Sequence, residues 1–388
     1  MILTMPDACR RVLPLVLAIL LLPLPAAAQS DDEFLLISRD LRVEPVRVVQ
    51  ATAGQLAYID ANGERQVRPI DAVLGLVRPG VSPDAPRPGE VRLVDGQRFP
   101  GQPGSGDSEL RDALIWMNPW FGELQIPLDD LELVRLSRDA PIPEMRDGDV
   151  LLLSNGDRLE GFIERLGDPI EFSVGEETLR VPLSRVSSIR LVSTPGRPAE
   201  NVQRIWFRNG VIADVNVVTM NTDGQVQIEP SIASAVGRQV HQRSLIYGIL
   251  FHPRDLVPLA SLTPSDVDGP PSRYRIPPPT VLDASASLNL SRLELRGPLT
   301  VRYAVGDRYL RFAAEAVLPE SARQWGDYDI VVRDDDREVF RARLNAERPS
   351  VQINVALSGA EMSIELTEGA HGPIQDVVIL ERAMFLRR

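Results

Sequence analysis

The chain has 388 residues, too many for one ordinary domain, and its 44% hydrophobic and 25% charged content excludes wholesale disorder. A formal net charge of −12 argues against a nucleic-acid-binding protein, whose affinity comes largely from cationic side chains. The 33 prolines suit an all-β chain rich in turns, and the absence of lysine excludes Schiff-base chemistry, a Walker A lysine and a kinase lysine.

At the N-terminus, Arg10 and Arg11 precede an apolar run over residues 12–24 that is broken by Pro14 and Pro23. Ala26, Ala27 and Ala28 form a small-residue cleavage site, with Gln29 as the mature start. This predicts a signal peptide over 1–28 and an exported protein, periplasmic, cell-surface or secreted. The run is too short and too interrupted for a permanent span, so no stable membrane span is expected after cleavage. Cleavage also removes Cys9, the only cysteine, leaving neither a disulfide nor a thiol nucleophile.

Two landmarks then recur along the chain. Asp95-Gly96, Asn155-Gly156 and Asn209-Gly210 each lie between apolar strand patterns, and the glycines stand 60 and 54 residues apart. Such dipeptides mark tight hairpin turns because the turn needs positive φ. Later in each unit a proline opens a second signature, at Pro69, Pro127 and Pro182, spaced by 58 and 55 residues, with a degraded copy over 240–249. Two landmarks at nearly one period predict four units, over 29–84, 85–140, 141–196 and 197–261. Each reads as strand, turn, strand, a short strand pair, a proline turn and a closing strand. That order resembles Sm-like and SH3-like small barrels. The resemblance implies small β-barrels; RNA binding is not carried over, because the chain is exported and acidic and its arginines are scattered. The cluster of Trp116, Met117, Pro119, Trp120 and Phe121 is denser than one core strand needs, and is read either as core or as an exposed contact patch.

Residues 262–285 are rich in proline and aspartate and show no apolar period, which predicts an extended linker. From 286 to 388 the pattern changes to short alternating strands, clearest in Val351, Ile353, Val355 and Leu357 and in Met362, Ile364 and Leu366. Roughly a hundred residues of such strands predict a two-sheet β-sandwich. The segments Gly297 to Tyr303, Tyr309 to Val317, Gly326 to Asp334 and Asp376 to Phe385 resemble the NPCBM family of carbohydrate-binding modules. The resemblance implies a galactose-binding-like jelly roll and a glycan ligand. This chain departs from the family pattern in lacking a tryptophan near Ile379 and in shortening the glycine loop to Gly369-Ala-His-Gly372. The expected fold is therefore all-β: tandem small barrels followed by a galactose-binding-like sandwich.

Sugar recognition needs an aromatic face for the pyranose and polar groups for its hydroxyls. Candidates in the sandwich are Trp325, Tyr303, Tyr309, Tyr328, Asp334 and Asp336, with His371 in the glycine loop. Trp325 lies where a loop runs into a strand, and is read either as a stacking residue or as a plug of the sandwich end. The aspartates are read more simply as a solvated hairpin turn. No Gly-x-Ser-x-Gly, His-Glu-x-x-His, cysteine pair or phosphate loop occurs, and the three histidines are scattered. No catalytic residue, metal or cofactor is therefore assigned. The expected function is glycan binding by an exported, non-enzymatic protein that carries its sandwich on a stalk of barrels. The alternative is an envelope structural or protein-interaction scaffold without sugar binding, and a third class is a hydrolase whose site no motif reveals.

Overall fold

Gly96, Gly156 and Gly210 adopt φ of +90°, +91° and +88°. Each donates its N–H back to the carbonyl three residues earlier, at 2.9, 3.0 and 2.9 Å, and so turns the first strand of a unit into the second. Leu41 takes the same place in the first unit, with φ +59° and a 2.9 Å bond to the Ser38 carbonyl, although no turn glycine marks it. Pro69, Pro127 and Pro182 each precede a three-residue 3-10 turn that leads into the closing strand. In the fourth unit Gln242 adopts nearly the same extended backbone, so proline favours that geometry without being required for it.

These turns organise a computed structural model that describes residues 33–80, 89–104, 113–194, 196–232, 237–269, 277–283, 286–369, 371–372 and 375–388. The segment 1–28, expected to be a signal peptide, lies outside the described residues. The described chain is all-β. Four successive units share one antiparallel order, in which the first strand pairs with the second and the fifth, and the third pairs with the second and the fourth.

The units do not form a linear stalk. The closing strand of the first unit (Val73–Val77) pairs with that of the fourth (Ile246–Leu250), matching Val77 with Gly248, Leu76 with Ile249 and Gly75 with Leu250. The closing strands of the second and third units (Leu131–Arg135 and Val186–Arg190) pair in the same register, centred on Val134 and Ile189. Central position faces central position in both pairs, so each pair is related by a local two-fold. A Cβ on Gly75 would lie 2.6 Å from the Ile249 carbonyl oxygen, so the strands approach this closely only because the residue is glycine.

Unit four also docks on unit two. The buried Arg204 guanidinium binds the Asp214 carboxylate at 2.6 and 2.9 Å and reaches the Asp95 carbonyl at 2.9 Å. The Asp214 N–H donates to Gln97 Oε1 at 2.9 Å. Trp120 stacks on His241 at 5.2 Å and meets Phe207 edge-on at 5.0 Å. Trp116 is fully buried and its indole N–H donates to the Phe99 carbonyl at 3.0 Å. The exposed-patch reading is therefore corrected for the aromatic rings: Trp120 and Phe121 pack against Phe207 and His241 of the fourth unit, and Trp116 fills the second, while Met117 is exposed.

The sandwich has two sheets. One runs Thr280–Val281, Leu293–Arg296, Val377–Arg387, Tyr309–Val317, Ser350–Ala356, with Leu256–Pro258 paired to the far end of Val377–Arg387. The other runs Asp266–Asp268, Leu299–Ala304, Glu361–Leu366, Tyr328–Asp334, Arg337–Leu344. The linker expected over 262–285 is thus corrected, since it supplies an edge strand to each sheet. Edge strands gain ladder hydrogen bonds with little side-chain burial, so they carry no apolar period. The sandwich abuts the barrels through an apolar layer that includes Leu41, Trp206, Leu288, Ala313 and Met384.

Candidate functional site

Three of the sequence candidates are core. Tyr303, Tyr309 and Tyr328 are 2%, 3% and 1% exposed, and the Tyr328 hydroxyl donates to the Val377 carbonyl at 2.6 Å. Their rings fill the space between the sheets and present no face to a sugar. Asp334 is also buried. Its carboxylate accepts N–H bonds from Ser358 at 3.0 Å and Gly359 at 2.8 Å, tying two loops together. Burial alone would raise its pKa, but these donors and Arg337 hold it below the usual carboxylate range. Asp335, at φ +53°, accepts the N–H groups of Ala360 and Glu361 at 2.9 and 3.0 Å, which leaves Asp336 exposed at the hairpin tip. Asp334 and Asp335 thus act as a loop clamp.

Trp325 stands apart from these residues. It is 44% exposed, so it is not a plug of the sandwich end. The 3-10 turn Glu320–Ala322 sets it in place through N–H bonds from Trp325 and Gly326 to the Ala322 carbonyl, at 3.4 and 2.8 Å. Gly326 is needed there, because a Cβ would fall 2.9 Å from that carbonyl oxygen and 3.0 Å from the Gln375 carbonyl oxygen. The exposed His371 ring meets Trp325 edge-on at 5.5 Å. Beside them Asp327 takes two 2.6 Å bonds from the Arg343 guanidinium, which hold its carboxyl below the usual range. Below this surface Asp376 is 1% exposed. One of its oxygens accepts the Gly369 N–H at 3.1 Å. Burial pushes its carboxyl above the usual range, the Gly369 and Asp327 N–H groups oppose that push, and Glu368 and Asp327 add to it.

The site thus combines a half-exposed indole, an imidazole, and a planar ion pair that offers both donors and acceptors. Such a surface can hold the apolar face of a pyranose and bind its hydroxyls. His371 was named with the sequence candidates and read as merely exposed, whereas Asp327, Arg343 and Asp376 were not among them. All four lie 2 to 51 residues from Trp325 along the chain, and only the glycine loop at 369–372 hinted at one of them. Among the described residues no group of three or more His, Cys, Asp or Glu could hold a metal ion, and no helix is long and apolar enough to cross a membrane.

No family model matches the chain. No curated protein matches it either. Solved structures with partial similarity include a CBM51 module from a Clostridium perfringens GH95 protein in complex with methyl-galactose, at 11% identity and a TM-score of 0.28, covering 34% of this chain and 99% of that one. A C. perfringens ZmpB fragment with CBM51-2 in complex with GlcNAc matches at 8% identity and 0.28, covering 45% of this chain and 44% of that one. Tandem CBM51 modules of a Streptococcus pneumoniae family 98 glycoside hydrolase match at 12% identity and 0.27, covering 92% and 88%. Similarity at this level assigns neither a topology nor a ligand to this chain.

Proposed function

We propose that this is an exported, non-enzymatic glycan-binding protein of the NPCBM type, with Trp325 as the stacking residue. The observation that carries the reading is the half-exposed Trp325 indole set beside His371 and the Asp327–Arg343 pair at one end of the sandwich. The four barrels, bounded as 29–84, 85–140, 141–196 and 197–261, act as the platform that holds the sandwich. A glycan array probed with the full chain, followed by calorimetry on each hit, tests the proposal. Trp325→Ala should weaken binding by about 2 kcal/mol or more while the thermal transition stays in place. Undiminished binding in that variant, or no hit on the array, refutes the reading.

One observation favours the alternative, an envelope scaffold with a protein partner. Phe162 is 59% exposed on the third barrel, whereas the same distance past the turn the sister barrels carry the exposed polar residues Arg47, Gln102 and Asn216. An exposed aromatic replacing polar residues suits a contact surface. A chain that binds no glycan but loses its attachment to cell envelopes on Phe162→Ser would establish this reading instead.

A further inference from the structure

A cleft of about 540 Å³ lies between the first turn of barrel one, at Asp40 to Val43, and the outer face of the sandwich strands Tyr309–Val317 and Ser350–Ala356. Its size falls in the range of small-ligand sites. The Asn354 amide donates to the Asp40 carbonyl at 3.0 Å, which fixes the two walls against each other. The floor is shaped by a bulge. Ala313 pairs with Met384 and Glu315 with Glu381, so the strand Val377–Arg387 carries one extra residue there. Arg382 sits in that bulge at φ +50°, a backbone conformation that side-chain-bearing residues rarely adopt. Bulges of this kind re-aim side chains, and strained backbone gathers at ligand sites.

The charges around the cleft are unevenly matched. Arg382 is bound by Glu315 and Glu381, and Arg42 by Asp40 at 2.9 Å. Arg311 differs: among the described residues its guanidinium meets only the neutral Asn354 amide oxygen, at 2.6 Å. The cleft therefore offers one guanidinium without a counter-anion, beside the exposed Gln352 amide and the carboxylates of Asp40 and Glu315. A lone guanidinium selects a carboxylate, amides and paired carboxylates take hydroxyls, and the half-buried Val43 supplies an apolar contact at the cleft wall.

We propose that this cleft is a second ligand site, for a carboxylate-bearing sugar of the hexuronate class, with the Arg311 guanidinium holding the carboxylate. It uses different strands from the Trp325 surface and does not depend on it. Calorimetry on the full chain with trigalacturonate, galactotriose and citrate as probes tests the proposal. Trigalacturonate should bind more tightly than the other two. Arg311→Gln should weaken it roughly ten-fold or more, the loss of one charged hydrogen bond. Gln352→Trp, placed on the exposed rim, should block the cleft without lowering the thermal transition, and it decides the matter if the Arg311 variant misfolds. Trp325→Ala should leave trigalacturonate affinity unchanged. Failure of trigalacturonate to bind, equal affinity for citrate or galactotriose, full affinity in both cleft variants, or a loss confined to Trp325→Ala would each overturn the proposal.

Discussion

Gly156 and Leu41 occupy the same turn in two sister barrels and resolve the same demand differently. Nothing lies within 4 Å of a Cβ built on Gly156, so a substitution there is opposed by backbone alone, at φ +91°. Gly156→Val should therefore destabilise the chain by about 1–2 kcal/mol, the cost of a β-branched residue at positive φ. Urea unfolding measures it, and an unchanged midpoint would mean that the turn relaxes. Leu41 carries the corresponding strain at φ +59° because its side chain, 2% exposed, is buried in the apolar layer against the sandwich. Asp376 is a second residue whose surroundings work against it. Its pKa is raised from 3.8, chiefly by burial, so the native state resists ionisation. Its contribution to stability is fully present below the unfolded value and is lost as pH rises through the raised native value. Asp376→Asn should thus gain melting temperature relative to the parent between about pH 4 and pH 7.5. A difference that is constant with pH would show the carboxyl ionising as freely as in the unfolded chain.

Among elements, the contacts that matter most join strands distant in sequence. The closing strands of barrels one and four pair in a register that includes Gly75, which leaves room for the opposing Ile249 carbonyl, and Gly248, which leaves room for the Ser287 hydroxyl. Between barrels two and four, the His241 ring is stacked on Trp120, edge-on to Phe207, and bonded through Nε2 to Gln239 Oε1 at 3.1 Å. Burial lowers its pKa below 6.5, so the packed ring is neutral. The unfolded ring takes up its proton first on acidification. Stability from this contact is therefore full above the unfolded value and declines as pH falls through it toward the native one. Melts between about pH 7.5 and pH 5 should show that decline in the parent and a shallower one in His241→Phe. Parallel curves would place the titration elsewhere.

At the scale of the whole molecule, the sandwich begins before its alternating pattern does. Leu256–Pro258 pairs with Met384, Phe385 and Leu386, and Val257 and Leu259, 9% and 0% exposed, belong to the sandwich core. A fragment of residues 286–388 leaves that part of the core open, whereas 253–388 closes it. Burial of two such side chains contributes roughly 3–5 kcal/mol. The shorter fragment should melt well below the longer one or fail to fold, and equal transitions would show that the early strands add nothing. The same reasoning explains why glycan binding is best measured on the full chain.

How much could be read from the sequence follows from the range of the forces involved. Turn glycines, proline turns and apolar alternation are local, each set by φ or by one face of one strand. They were sufficient for the all-β class and for the hairpin positions of Gly96, Gly156 and Gly210. Trp325, a large aromatic where a loop meets a strand, could be read from the sequence only as an even choice between a stacking residue and a plug, and its exposure was decided by the fold. The tyrosines were not legible, because an aromatic in a strand looks the same whether it faces the core or a ligand, and burial is decided by the second sheet. The two-fold pairing of the barrels and the edge strands within 262–285 left no pattern, since backbone ladders place almost no demand on side-chain type. His371, Asp327 and Arg343 came to Trp325, and Arg311 to the barrel cleft, only through tertiary folding, because the positions of charged groups in space depend on strand order and not on their spacing along the chain.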